Sequence, residues 1–145
     1  MRLAIIVLAA SAAALGTATL ATTALAAKPS PLTTPAPPRG TGLPSGQCFR
    51  SMDIRNHTFA DKNTLLLAVN GKDTYRVTMN GACLAGAMSS DPIITRSPPG
   101  SQIICKPIDM DIAISRSGFA THCIVDSIVK MSPEEVAALP KKLKP

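Results

Sequence analysis

Asp109 and Asp111 are the residues of this sequence best placed to do chemistry. Two carboxylates at i and i+2 of an extended strand stand on one face, about 6.5–7 Å apart. At that spacing they can share a cation or divide the work of acid and base. Alternation along a solvated strand explains the same pair without any chemistry, since charges on an exposed face keep a sheet edge from pairing. Calcium would need further oxygen ligands, and no loop here has the spacing of an EF-hand.

The other reactive side chains are fewer. Cys48, Cys83, Cys105 and Cys123 stand 35, 22 and 18 positions apart. A thiolate metal site or a redox pair draws on close C-x-x-C spacing, which is absent, so an even count reads as two disulfides. His57 and His122 are the two histidines. His122 adjoins Cys123, and neighbours on a strand face opposite ways, which keeps the two from sharing a ligand. No G-x-S-x-G elbow is present. Met52, Met79, Met88, Met110 and Met131 have no clustered spacing and suit gap-filling in a small core. Asn56-His57-Thr58 has the form of a glycosylation sequon, expected to be unmodified behind a bacterial-looking leader.

The elements that must position these residues are short strands. Leu65 to Val69 is an apolar run ending in Asn70-Gly71, a hairpin signal. Tyr75, Val77 and Met79 then alternate with Thr74, Arg76 and Thr78, the pattern of a strand with one wet face. Ile54 to Phe59 reads as a strand joined to that hairpin through Asp61-Lys62-Asn63. Ile93 to Thr95 is short, and Pro98-Pro99-Gly100 marks a turn. Ile108, Met110, Ile112 and Ile114 line one face of a further strand, with Asp109, Asp111 and Ala113 on the other. Ser117-Gly118 turns the chain into a return strand from Cys123 to Val129. On this map Cys105 and Cys123 lie at opposite ends of the last hairpin, which favours Cys83 with Cys105 and Cys48 with Cys123. Ser132-Pro133-Glu134-Glu135 is a capping box that opens a short helix to about Leu139, where Pro140 ends it. Lys141, Lys142 and Lys144 form a basic tail, expected to be mobile.

Ahead of the domain stands a leader. Met1 and Arg2 precede an apolar run from Leu3 to Leu15, and Ala24-Leu25-Ala26 is a small-x-small site: a signal peptide over 1–26, cleaved after Ala26 or Ala27. Gly16 and threonines 17, 19, 22 and 23 interrupt the run short of the roughly 20 residues that span a bilayer. From 27 to 46 the chain is rich in proline and glycine with little that is large and apolar, as a flexible linker should be. The disulfide-stapled domain is expected over 47–131, followed by the capped helix and tail over 132–145. At that size a core alone is marginal, and the cystines add what the core lacks.

"ADKNTLLLAVNGKDTYRVTMNGAC" through Cys83, "IICKPIDMDI" around Cys105 and "CIVDSIVKMSPEEVAAL" at the end together resemble a family of small exported bacterial proteins classed as a domain of unknown function. The likeness covers nearly all of Gln47 to Leu139. Its relatives, the resemblance implies, are β-rich, four-cysteine, secreted or lipid-anchored proteins without an assigned activity. This chain lacks a cysteine at its cleavage site, so it departs from the lipoprotein members. The resemblance supplies no catalytic residues.

Charge narrows the partners. The chain carries 15 Lys and Arg against 9 Asp and Glu, a net +6. Between Gln47 and Met131 nine basic side chains face seven acidic ones, so the excess sits in the tails. Phe49, Phe59, Tyr75 and Phe119 are a core's complement rather than a base-stacking platform, and nucleic acid is not expected as a partner. Weak contact of the tail lysines with an anionic membrane surface fits better. The sequence therefore predicts an all-β fold with a short C-terminal helix, a small antiparallel barrel or sandwich of about five or six strands held by two disulfides. It predicts a monomeric periplasmic or secreted binding module for an envelope protein or cell-wall component, without cofactor or metal. Arg50, Arg55, Arg76, Asp109 and Asp111 are its candidate binding surface. The alternative is a small hydrolase or metal-dependent enzyme built on Asp109, Asp111 and a histidine.

Overall fold

The computed structural model describes residues 32, 35–96 and 101–145. The leader, its cleavage site, most of 27–34 and the Pro98-Pro99-Gly100 turn lie outside the described residues. Among the described residues nine strands occur in chain order: β1 Phe49–Arg50, β2 Ile54–Phe59, β3 Thr64–Val69, β4 Asp73–Met79, β5 Ile93–Arg96, β6 Ile103–Ile104, β7 Asp111–Arg116, β8 Phe119–Cys123 and β9 Val125–Lys130. A short α-helix, α1, spans Pro133–Ala138. The pairings are all antiparallel and make a four-stranded sheet β2-β3-β4-β9, a three-stranded sheet β5-β7-β8, and the two-stranded ladder β1-β6. The sheets are not closed into a barrel, so the fold is the sandwich of the two shapes expected.

Turn chemistry sets the hairpins. Asn70 and Gly71 have φ of 54° and 66°, and Ser117 and Gly118 have 48° and 83°, the left-handed pairs that match the twist of the strands they join. Leu65, Leu67, Val77, Ile112, Ile114 and Ile128 are fully buried between the sheets. Each such side chain contributes about 1.5–3 kcal/mol on leaving water. Phe49 closes one end of this core against Tyr75, with ring centroids 4.5 Å apart. Met79, Met110 and Met131 are buried as expected, whereas Met52, Met88 and Phe119 stand exposed.

Three sequence expectations change. Thr74, Arg76 and Thr78 are buried, so β4 has no wet face. Leu66, Met131 and Leu139 form a second cluster beneath α1, joined at its margin by Leu32, Val136 and Leu143, and the C-terminal segment thereby covers part of that side of the sheet. The basic tail accordingly folds back, with Lys144 donating to the Ala137 carbonyl. The fold also begins upstream of Gln47. Gly40 donates to Asp126, Ile128 donates to Thr41, and Leu43 donates to Cys105. Gly42 passes so close to the Cys105 carbonyl oxygen that a Cβ there would lie 2.6 Å from it, which only glycine avoids.

The disulfides are Cys48–Cys105 and Cys83–Cys123, not the pairing the strand map favours. The reason is the length of the last hairpin. Residues 107–109 form a 3₁₀ turn, so the strand begins at Asp111 and Cys105 lies outside the hairpin. Cys105 follows β6, whose partner β1 follows Cys48, and the Phe49–Ile104 pairing sets the two cysteines side by side. Cys123 ends β8, and Ile124 alone separates it from β9, which pairs with β4. The return strand expected from Cys123 to Val129 is thus two strands in two sheets. The crossing carries Cys123 to Cys83, just beyond β4.

Candidate functional site

Asp109 is placed by the 3₁₀ turn rather than by a strand. Its carboxylate accepts the amide N–H of Cys105 at 3.1 Å and of Lys106 at 2.8 Å, and Pro107 supplies the fixed φ with which such a turn begins. The turn throws Ile108 outward, 82% exposed, while Met110 points into the core. Asp109 and Asp111 therefore do not share a strand face: one carboxylate is spent on backbone, the other is half exposed at the start of β7.

Across from this turn runs the crossing between sheets. Ile124 is 72% exposed, its carbonyl held by the Asn80 amide. Asp126 sits at a register shift of β9 and pairs with Arg39 at 3.2 Å. Between the turn and the crossing lies a groove of about 450 Å³. Pro107, Ile108 and Met110 form one wall and Cys123, Ile124 and Val125 the other, with Lys106, Asp111 and Asp126 at the rim. Each disulfide anchors one wall, Cys48–Cys105 beside Lys106 and Cys83–Cys123 beside Ile124.

His122 Nδ1 lies 3.3 Å from Asp111 Oδ1, the two side chains about half exposed. Such a pair could orient an imidazole for proton transfer. Among the described residues no hydroxyl or thiol hydrogen-bonds to the His122 imidazole, and no three His, Cys, Asp or Glu side chains converge as metal ligands. His57 is committed elsewhere: Nε2 meets the Asp91 carbonyl oxygen at 2.9 Å, and the ring packs edge-on to Phe59.

The three candidate arginines do not converge. Arg50 lines a polar cleft with Asp53, Asn70 and Asp73. Arg55 stands at the bulge of β2, beside Pro92 and Ile93. Arg76 is buried in β4, opposite Leu66 and Val129, and is not a surface residue. Lys106, Ile108 and Ile124 were not picked out from sequence. A signal for Ile124 existed: on a strand that turns Cys123 inward, both its neighbours must face out.

At the far end of the core Tyr75 donates to the Gln47 carbonyl at 3.0 Å, and Lys130 Nζ meets Asp73 at 2.8 Å. Burial lifts the Tyr75 phenol above 10.0, with Lys130 opposing and Asp73 adding to the rise. The bond to Asp73 lifts Lys130 above 10.5. Both folded values lie above the unfolded ones, so the stability they carry is present below about pH 10 and is lost as pH climbs through the folded values. Unfolding free energy measured from about pH 9 to about pH 12 is expected to fall, with a shallower slope in Tyr75→Phe. Equal slopes would mean that Tyr75 does not titrate differently on folding.

Fold and groove together define a disulfide-stapled β sandwich with an open, largely apolar groove between two disulfide-anchored walls. The chain belongs to DUF6491, a family of unknown function, whose model matches residues 1–144. No curated protein and no solved structure matches it.

Proposed function

We propose that this protein is an exported envelope protein and a non-enzymatic binding module, whose groove takes a ligand with an apolar body and an anionic end. One observation carries the ligand class. Of the three charged side chains at the rim, Asp126 is answered by Arg39 and Asp111 faces His122, while Lys106 makes no ion pair among the described residues. An apolar trough with a rim cation engaged in no ion pair among the described residues favours an amphipathic anion. Export is supported by the leader with its Ala24-Leu25-Ala26 site and by two cystines that use all four cysteines.

The test has two parts. Native mass spectrometry of protein recovered from the exported fraction should find a chain beginning near Ala27, four hydrogens lighter than its reduced form. Titration with decanoate, followed by amide chemical shifts, should move Ile108, Ile124 and Val125. Lys106→Glu should weaken that binding by about tenfold, the worth of one charged contact reversed. Shifts scattered over the surface, or a Lys106→Glu variant that binds as well, would remove the groove from consideration.

A further inference from the structure

We infer that β8 is a self-association edge, and that a second copy of this chain pairs with it antiparallel across a two-fold axis through Ala120. The inference is independent of the groove. Its starting point is that each of the other long edges is blunted. β2 carries a bulge with Arg55 on it, β5 begins after Pro92 and ends at Arg96, and β9 is covered by the Gly40–Thr41 segment through the bonds of Gly40 to Asp126 and Ile128 to Thr41. Bulges, prolines, charges and covering segments are the means by which sheet edges avoid pairing. β8 has none of them from Phe119 to Thr121, and all three of these residues are exposed, Phe119 at 78%.

The pairing with β7 dictates which groups are free. A two-residue turn at Ser117-Gly118 makes Arg116 and Phe119 a hydrogen-bonded pair, and the alternation continues through Ile114 with Thr121 and Ile112 with Cys123. The N–H and C=O of Ala120 and His122 therefore point away from β7. Among the described residues no backbone group bonds them. At His122 the carbonyl is approached by Cys83 Sγ at 3.4 Å, so the disulfide closes that end and leaves the half nearer the hairpin tip open. Donors and acceptors in this repeat are satisfied by an extended main chain.

The side chains then select a second copy as the occupant. With Ala120 opposite its own mate, the two alanines exchange two hydrogen bonds. Phe119 lies beside the mate's Thr121 and Thr121 beside the mate's Phe119, an aromatic with β-branched contact made twice. Beyond them Gly118 meets the mate's His122, the end that the disulfide closes, so the shared ladder is limited to residues 119–121 of each copy. Small residues meet large ones, and no like charges are opposed, as a self-complementary two-fold interface requires. The outcome is one six-stranded sheet, β5-β7-β8 continued by its own image. A single strand pair buries less than about 1,200 Å², so the association is of the transient class and shifts with concentration.

Sedimentation equilibrium on the mature, oxidised protein tests this. Wild type should show a concentration-dependent dimer, and Ala120→Pro should weaken it by about tenfold or more through loss of both central bonds. The Ala120 N–H is outside the β7–β8 ladder, so proline there should leave the monomer's unfolding midpoint nearly unchanged. Thr121→Lys, an added edge charge, should act in the same direction without touching the backbone. A strict monomer at every concentration would overturn the inference. So would a dimer that tolerates both variants, since it would be formed through another surface.

Discussion

Cys48→Ala/Cys105→Ala is expected to lower the unfolding free energy by about 4 kcal/mol, and Cys83→Ala/Cys123→Ala by nearly as much. The bridges close loops with sequence separations of 57 and 40, and the entropy of loop closure grows only with the logarithm of length, so the two are hardly distinguished by chain statistics. They differ in what they hold locally. Cys48–Cys105 fastens β1 to β6, a ladder of two residue pairs that has little else to keep its register. Its loss should also loosen the turn that presents Lys106 and Ile108. Cys83–Cys123 fastens the loop after β4 to the strand that leaves the other sheet, and its loss should free the Cys123–Ile124 wall. The bridges interleave along the chain, Cys83 falling inside the first loop and Cys105 inside the second, so removing either still leaves a long-range tie. Urea unfolding of the two double variants measures both effects. A loss below about 1 kcal/mol for either would mean that native-state strain offsets the chain-entropy gain.

Much of this architecture was legible because local chemistry decides it. Asn70-Gly71 and Ser117-Gly118 demand positive φ and turn where they were expected to. Ser132 and Glu135 cap α1 reciprocally, at 3.2 and 2.8 Å. The Ile54 to Phe59 strand was legible from its place, joined to the next hairpin through Asp61-Lys62-Asn63. The errors have one origin, which is that period-2 patterning cannot see a neighbouring segment. Ile108 to Ile114 alternates perfectly well as a strand, yet Asp109 gains two backbone amides by turning, and Pro107 has no N–H to give a ladder. The one-residue passage from β8 to β9 at Ile124 is invisible for the same reason: each half alternates, and only the partners β7 and β4 tell them apart. The disulfide error followed from both. At the groove, the turn's carboxylate was visible as Asp109 but its task was not, and Lys106 gained its significance only when Asp111 and Asp126 acquired partners in space.

Leu66→Ala and Leu67→Ala are expected to be comparably destabilising, which alternation along a strand with one wet face would forbid. Both side chains are fully buried, on opposite faces of β3. Leu67 enters the main core between the sheets, where a Leu-to-Ala cavity costs about 3–5 kcal/mol. Leu66 enters the smaller cluster with Met131 and Leu139, whose thinner surroundings can collapse further, so about 2–3 kcal/mol is expected. Were Leu66 on a solvated face the change would be within about 0.5 kcal/mol, and urea unfolding resolves the difference easily. A double-mutant cycle locates the cover. Leu139→Ala shares a cluster with Leu66 and should be non-additive with Leu66→Ala by about 0.5 kcal/mol or more, while its effect should simply add to that of Leu67→Ala. Additivity in both cycles would mean that α1 is not what shields β3, and the burial of Thr74, Arg76 and Thr78 alongside it would then need another source. Non-additivity confined to the first makes the C-terminal segment a structural part of the domain, held by its own buried leucine rather than trailing as a basic tail.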